Sequence, residues 1–335
     1  MNNQPKYPIY IPSKGRWEAR LTQKTLERMG IEVYFVIVEQ SQYDNYAAVI
    51  DPKHLLVLPQ VWLDEYNTFD DEGYKLSKGP GAARNYAWWH SVKVMKAQWH
   101  WTMDDNISDM FILNRGSKIR CEAAAFVTQM EWFVEHFENV GMAGPNYDFF
   151  APAGQMLGAY TQNTRIFSCN LIKNSLAFEI GGSDGVNGMG SEGSGPWRGR
   201  YSEDVCISLR ILKAGWATIQ FYYYLQGKDP TINLSKGGET ALQKAAASGG
   251  NRADFYSKAG VLTNKKSEMA VAMHPDCVSM VERYDRCHHL IDYTKIELPQ
   301  PILKKNYVAP PYPKMKMKQI APDKSSPDGV WRPKY

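Results

Sequence analysis

Trp99-His-Trp-Thr-Met103-Asp104-Asp105-Asn106-Ile107 is the stretch that decides how this chain folds. Five residues rich in aromatic and β-branched side chains run without a break into three adjacent oxygen-bearing ones. A short apolar run closed by a polar turn reads as a buried strand. In an open α/β sheet, ligands collect beyond the carboxyl ends of the strands. Taken alone, Asp104-Asp105-Asn106 is a polar turn or helix N-cap, or a set of oxygens able to hold Mg²⁺ or Mn²⁺ against a diphosphate. Its place at the end of a strand favours the metal.

Towards the N-terminus the chain alternates strands and helices. Tyr7-Pro-Ile-Tyr-Ile11 is a first strand, closed by the turn Pro12-Ser13-Lys14-Gly15. Residues 18–29 have helical spacing and stop at Gly30. Residues 32–38 (EVYFVIV) read as a second strand, 40–50 as a helix and 54–58 (HLLVL) as a third strand. A helix over 81–96 leads into Trp99. This repetition predicts an α/β fold, Rossmann-like, with a mostly parallel sheet flanked by helices. Towards the C-terminus the pattern loosens. A helix is expected over 121–136, and short strands within 140–180, such as 164–171. A loop over 181–199 holds eight glycines. A helix over 203–213 and a strand over 216–225 follow. Residues 227–260 are polar and rich in Gly and Lys.

Composition bounds the function. The 335 residues carry 39 Lys+Arg and 35 Asp+Glu, and 44% are hydrophobic. That suffices for a core and excludes wholesale disorder. No apolar run approaches the ~20 residues needed to span a bilayer, so no membrane partner is expected. The first residues lack a signal-peptide pattern. Five cysteines at wide spacing form no CxxC pair. They suggest neither a zinc ribbon nor a disulfide scaffold, and a cytoplasmic location fits best. Cys206 reads as core. The formal charge of +4 is unevenly placed: residues 295–335 hold nine Lys/Arg, three Asp/Glu and eight of the 19 prolines. That tail is locally +6, which leaves −2 for the rest.

Three further constellations carry chemistry. Gly79-Pro80-Gly81-Ala-Ala-Arg84-Asn85 opens a helix, and glycines there let backbone approach a phosphate. Arg84 can reach that phosphate or lock the acidic turn; Asn85 can hold a loop backbone. The alternative is a glycine loop before a solvated helix. Ser202-Glu203-Asp204 opens the helix after the glycine-rich loop. Its acids either serve the helix dipole or supply a general base for an acceptor hydroxyl. Pro12, Ser13, Lys14 and Arg16, with Glu39 at the end of the second strand, suit a nucleoside pocket or an ordinary βα turn with a surface ion pair.

In this order the motifs resemble glycosyltransferases of the GT-A fold, over about residues 7–225. The resemblance implies a nucleotide-sugar donor, UDP-linked in the first instance, bound by Pro12, Ser13, Lys14, Arg16, Glu39, Gly81, Arg84, Asn85 and Asp104. It implies Mn²⁺ or Mg²⁺ held by Asp104, Asp105 and Asn106, with Asp204 or Glu203 as base. Asn106 stands where the family often has its main metal-binding Asp. His274, in the run Ala-Met-His-Pro-Asp, is a candidate C-terminal ligand. The implied layout is a catalytic domain over 1–225, with a nucleotide-sugar half (about 1–110) and an acceptor half (about 111–225). A polar, partly helical acceptor-side region (226–294) and a basic, proline-rich C-terminal extension (295–335) follow. The opening Pro12–Arg16, Asp104-Asp105-Asn106-Ile107 and Tyr201-Ser-Glu-Asp204 look like the TET-associated glycosyltransferases of bacteriophages. That resemblance implies sugar transfer to 5-hydroxymethylcytosine, or a related 5-hydroxymethylpyrimidine, in DNA within the infected host cytoplasm.

DNA as partner asks for cations near phosphates and aromatic rings for an exposed base. The expected cations are Lys228, Lys236, Lys244 and Arg252 in the late loop, and Lys304, Lys305, Lys314, Lys316 and Lys318 in the tail. Trp197 and Tyr222-Tyr-Tyr224 are the expected stackers. Two other readings stay open: a glycosyltransferase acting on a glycan, lipid or protein, and a non-catalytic DNA-binding module on the same fold.

Overall fold

A computed structural model describes residues 4–73, 77–151, 158–180, 195–228, 261–283 and 286–307. Strands β1 (Ile9–Pro12), β2 (Tyr34–Glu39), β3 (Leu55–Leu58) and β4 (Trp99–Met103) alternate with helices α1 (Leu21–Arg28), α2 (Tyr43–Ala47), α3 (Gln60–Asp64) and α4 (Gly81–Lys93). After the acidic turn come β5 (Ile107–Asn114), β6 (Ser117–Arg120), α5 (Ala125–Val134), β7 (Val140–Tyr147), β8 (Tyr160–Gln162), β9 (Cys169–Lys173) and α6 (Leu176–Glu179). The chain continues with α7 (Glu203–Lys213), β10 (Ala217–Lys228), α8 (Val261–Met273), β11 (Val278–Arg283) and β12 (Arg286–Ile291).

The main sheet has the order β3-β2-β1-β4-β9-β7-β10-β5-β6, with β8 on β10; β11 and β12 form a separate hairpin. Its first half, β3 to β4, is parallel throughout. β9 then runs antiparallel to both β4 and β7, so β7 is parallel to β4, and β10 is parallel to β7. The sheet is therefore mixed, and its parallel part is the half with the strand–helix repeat. All five β4 residues are buried, as a central strand covered on both faces requires. The α/β class with flanking helices agrees with the sequence expectation.

This polarity places the ends of β1, β2, β4, β7 and β10 on one side of the sheet. The acidic turn leaves β4 there and is clamped from α1. Thr22 Oγ1 donates to the Asp104 carbonyl and accepts from Ile107 N–H at 2.9 Å; Thr25 Oγ1 donates to the Ser108 carbonyl at 2.7 Å. On the opposite side, the first part of the C-terminal extension is a strap. Lys304 N–H donates to the His136 carbonyl at 2.9 Å, and Glu138 N–H to the Ile302 carbonyl at 2.8 Å. Residues 229–260 of the expected polar loop, most of the glycine loop and the tail beyond residue 307 lie outside the described residues; 227 and 228 end β10.

Candidate active site

The turn after β1 is built by backbone and ring hydroxyl. Ser13 N–H donates to the Ile37 carbonyl at 3.0 Å, and Arg16 N–H to the Tyr46 hydroxyl at 3.0 Å. Lys14 and Glu39 form an ion pair at 2.6 Å across the ends of β1 and β2. Opposite them, Gly79 and Pro80 lead into α4. Gly79 has φ +82, and a side chain there would meet the Arg200 carbonyl at 2.8 Å. At Gly81 an added Cβ would overlap the Tyr66 ring. Glycine is thus required for close packing, and Gly81 does not line the cavity.

The cavity holds about 230 Å³. Ile37, Val38, Leu58 and Leu63 line its apolar end, with Lys14 and Glu39 beside them. Arg84, Asp104, Asp105, Glu203 and Lys228 line the charged end. Pro12, Ser13, Arg16 and Asn106 line it too. Sequence positions from 12 to 228 therefore converge on one space.

Arg84 is the hub of the charged end, and its side chain is 3% exposed. Its Nη2 donates to Asp104 Oδ1 at 2.7 Å and its Nη1 to Glu203 Oε1 at 3.0 Å, with Asp204 Oδ1 at 3.6 Å. Lys228 Nζ donates to the other Asp104 oxygen, Oδ2, at 2.6 Å and to Ser168 Oγ at 2.7 Å. Asp105 accepts from Arg16 on Oδ1 and from Ser13 Oγ on Oδ2 at 2.8 Å. Asn85 stands behind: it accepts from Trp197 N–H at 2.8 Å and donates to the Trp197 carbonyl at 2.9 Å. It holds a loop backbone and does not line the cavity.

These contacts set the charges. Burial pushes the Asp104 carboxyl up, but Lys228 and Arg84 more than offset this and hold it well below the usual carboxylate range. Burial raises Asp105 against the pull of Arg16 and Ser13. Burial and the neighbouring Asp204 push Glu203 up to about 8, so Glu203 is mostly protonated at neutral pH. Asp204 lies close enough to Lys228, Tyr147 and His289 to bias their titration.

The sequence model of the TET-associated glycosyltransferases matches residues 7–238 of this chain. The chain belongs to that family. Among curated proteins nothing matches it. Among solved structures it is similar to a mannose-1-phosphate geranyltransferase from Thermus thermophilus, at 12% identity and a TM-score of 0.32. That match covers 53% of this chain and 59% of that one.

The donor set of this TET-associated glycosyltransferase does not fit a divalent ion. Each carboxylate oxygen of Asp104 and Asp105 already accepts from a cation or a hydroxyl. An ion on Asp104 Oδ2, at about 2.1 Å, would stand within about 5 Å of the Lys228 ammonium. Their repulsion is on the order of 6 kcal/mol at an effective dielectric of about 20. The Mn²⁺ or Mg²⁺ expected on Asp104, Asp105 and Asn106 thus meets carboxylates that Arg16, Arg84 and Lys228 already hold.

Four further expectations change. His274 does not line the cavity. It is buried against α7, where its Nδ1 accepts from Lys213 Nζ at 3.1 Å and its Nε2 meets Cys206 Sγ at 3.3 Å. With Asp276 and Cys277 it is the one cluster of three metal-ligand types among the described residues. Lys213, 2.7 Å from Asp276 Oδ1, holds the place of a cation there too. Lys228 belongs to the site and not to a DNA-facing loop. Trp197 is buried, with the Arg84 guanidinium 4.6 Å over its ring, so it supports Arg84 and cannot stack a base. Tyr222–Tyr224 form a bulge where β10 leaves the register of β7; Tyr224 packs on Phe126 and Phe221 and is no stacker, while Tyr223 is exposed.

Sequence reasoning missed Lys228 as a site residue, and missed Ser168, Thr22, Thr25 and Arg200. Arg200 grips both Asp70 oxygens and the carbonyls of Gly73 and Ser77, which fixes the approach to Gly79. It also missed a ladder of rings beside the site. Tyr147 stacks on Phe149 at 4.9 Å and on Phe167 at 5.8 Å, and Phe149 and Phe150 are each 58% exposed. The Tyr147 hydroxyl meets Ser168 Oγ at 2.7 Å, one step from Lys228.

Proposed function

We propose that this TET-associated glycosyltransferase moves a sugar from a nucleoside-diphosphate donor, UDP-linked in the first instance, to the hydroxymethyl group of a 5-hydroxymethylpyrimidine in DNA. The observation that carries the reading is the two-ended cavity. Its apolar end, at Ile37, Val38 and Leu58 with the Lys14–Glu39 pair, suits a nucleoside. Its charged end, at Arg84 and Lys228, suits a diphosphate. Glu203, at the start of α7, lines that end, and Asp204 stands next to it, where the sugar's anomeric carbon would come.

In this mechanism Asp204 takes the proton of the acceptor hydroxyl as its oxygen attacks the anomeric carbon. Glu203 keeps its own proton and lowers the negative charge that the diphosphate meets. Arg84 holds Asp104, Glu203 and Asp204 at fixed distances and spares them reorganisation as charge shifts. The exposed rings of the Tyr147 ladder offer a face to a base lifted out of its stack.

A donor screen tests this. UDP- and GDP-linked sugars are offered with 5-hydroxymethylcytosine, 5-hydroxymethyluracil and unmodified DNA, and digested nucleosides are read by mass spectrometry. A hexose- or N-acetylhexosamine-sized increment on the hydroxymethylated base alone is expected. Transfer to a glycan, lipid or protein acceptor, with none to either modified DNA, would sink the DNA reading. Salt-sensitive DNA binding without donor turnover would mark a binding module.

A further inference from the structure

We infer that the ammonium of Lys228, backed by Arg84, does the work of a divalent cation at the diphosphate, so that this glycosyltransferase needs no metal for donor binding or transfer. The inference rests on the donor reading above for the identity of the ligand and on the geometry for the rest.

Lys228 is the last residue of β10, and β10 runs parallel to β7, so its end reaches the same side of the sheet as the acidic turn. Its Nζ donates to Asp104 Oδ2 at 2.6 Å and to Ser168 Oγ at 2.7 Å. An ammonium has three N–H donors; among the described residues two of them are taken by these contacts, and Lys228 lines the cavity. Two supports hold the head group in place. Ser168 has φ +59, a left-handed conformation that non-glycine residues seldom adopt. Its carbonyl accepts from Asp104 N–H at 2.7 Å while its hydroxyl meets both Lys228 and Tyr147. One strained residue thus fixes both partners of the ion pair. On the other side, Arg84 Nη2 takes Asp104 Oδ1 at 2.7 Å. Asp104 is held as an anion between two fixed cations, the arrangement of a carboxylate that positions charge.

The chemistry balances without an ion. The bond between the anomeric carbon and the diphosphate oxygen breaks, and its electron pair stays on that oxygen. The bond from the acceptor oxygen to the anomeric carbon forms, and the acceptor proton goes to Asp204. The leaving diphosphate departs as an anion, and Lys228 keeps its proton throughout. The Lys228 ammonium stabilises the oxygen on which charge develops, as a preorganised donor.

Titration calorimetry with inorganic pyrophosphate and with UDP tests this without needing the right sugar or acceptor. For the full chain in EDTA, binding is expected, and its Kd should change less than about twofold when Mn²⁺ or Mg²⁺ replaces the chelator. Lys228→Met should weaken binding by about tenfold or more, the loss of a charged hydrogen bond, while Lys228→Arg should keep most of it. Transfer or donor hydrolysis should persist in EDTA. No pyrophosphate or UDP binding in EDTA, or activity lost to EDTA and restored by Mn²⁺, overturns the inference; the wild type alone decides this if Lys228→Met fails to fold. Unchanged affinity in a folded Lys228→Met overturns it as well. Lys228-dependent, metal-free binding with no transfer to hydroxymethylated DNA instead leaves Lys228 its role and removes the proposed acceptor.

Discussion

At the scale of single residues, the site turns on how neighbouring carboxyls divide protons. Glu203 and Asp204 are adjacent, and both lie near Arg84 at 3.0 and 3.6 Å. Two carboxylates so close do not both ionise readily, and the more buried one keeps its proton. Here that is Glu203, raised to about 8 by burial and by Asp204. The proposed mechanism makes Asp204 the base, so Asp204→Asn should lower kcat by about 10²- to 10⁴-fold with UDP affinity nearly unchanged. A matching fall in UDP affinity would show that Asp204 acts on the donor instead. Glu203 sets a pH dependence whose sign is fixed. Above about pH 8 it loses its proton and adds negative charge where the diphosphate lies. UDP binding to the wild type should therefore weaken as pH rises through 8, and Glu203→Gln should flatten that limb. Calorimetry from pH 6.5 to 9.5 reads both, and a wild-type profile that strengthens with pH would refute the assignment.

At the scale of elements, the end of β7 and the start of β9 bring the ring ladder beside the charged end of the cavity. Phe149 is exposed and stacked on Tyr147, whose hydroxyl connects through Ser168 to Lys228. Base–ring stacking contributes about 1–3 kcal/mol. Phe149→Ala should thus raise KM for hydroxymethylated DNA by roughly tenfold and leave UDP affinity alone; an unchanged KM would move the acceptor elsewhere. The elements also explain what was legible. β4 and its acidic turn were, because strand and turn chemistry are local and adjacent. So was α7, whose acids and apolar periodicity coincide at 203–213. The β5–β6 hairpin was not. Its buried residues Ile107, Met110 and Leu113 fall three apart, the spacing of a helix face and not of a half-buried strand. The tight turn shows only in the positive φ of Arg115 and Gly116, at 49° and 77°. Lys228 was hidden for another reason: its partner Asp104 is 124 positions away, and a lysine after a tyrosine-rich strand carries no mark of that pairing. For the metal, the acidic triplet, Arg16 and Arg84 were visible, but the pairing of Lys228 with Asp104 was not.

At the scale of the whole molecule, the charge asymmetry acquires a geometry. The described part of the extension does not approach the cavity. Asn163 and Asn139 donate to the carbonyls of Pro299 and Gln300 at 2.6 and 2.8 Å, and Leu303 pairs with Phe137. These contacts lie at the start of β7, the end of the sheet away from Asp104. Lys304 and Lys305 are thereby placed far from the chemistry. Residues 308–335 still carry Lys314, Lys316, Lys318, Lys324, Arg332 and Lys334 against two aspartates. Those 28 residues hold the cations proposed to meet DNA phosphates. A chain ending at residue 307 retains the strap, so its melting temperature and UDP affinity should match the full chain. Its DNA affinity should lose salt dependence, because each cation that gives up a phosphate removes about 0.9 from the slope of log K against log salt. Transfer to a hydroxymethylated mononucleotide, which offers no phosphate track, should be unaffected. The two chains are compared by DNA binding from 50 to 200 mM salt and by turnover on both acceptors. Equal salt slopes would place the DNA contacts on the body, and a lower melting temperature would make the last residues part of the fold.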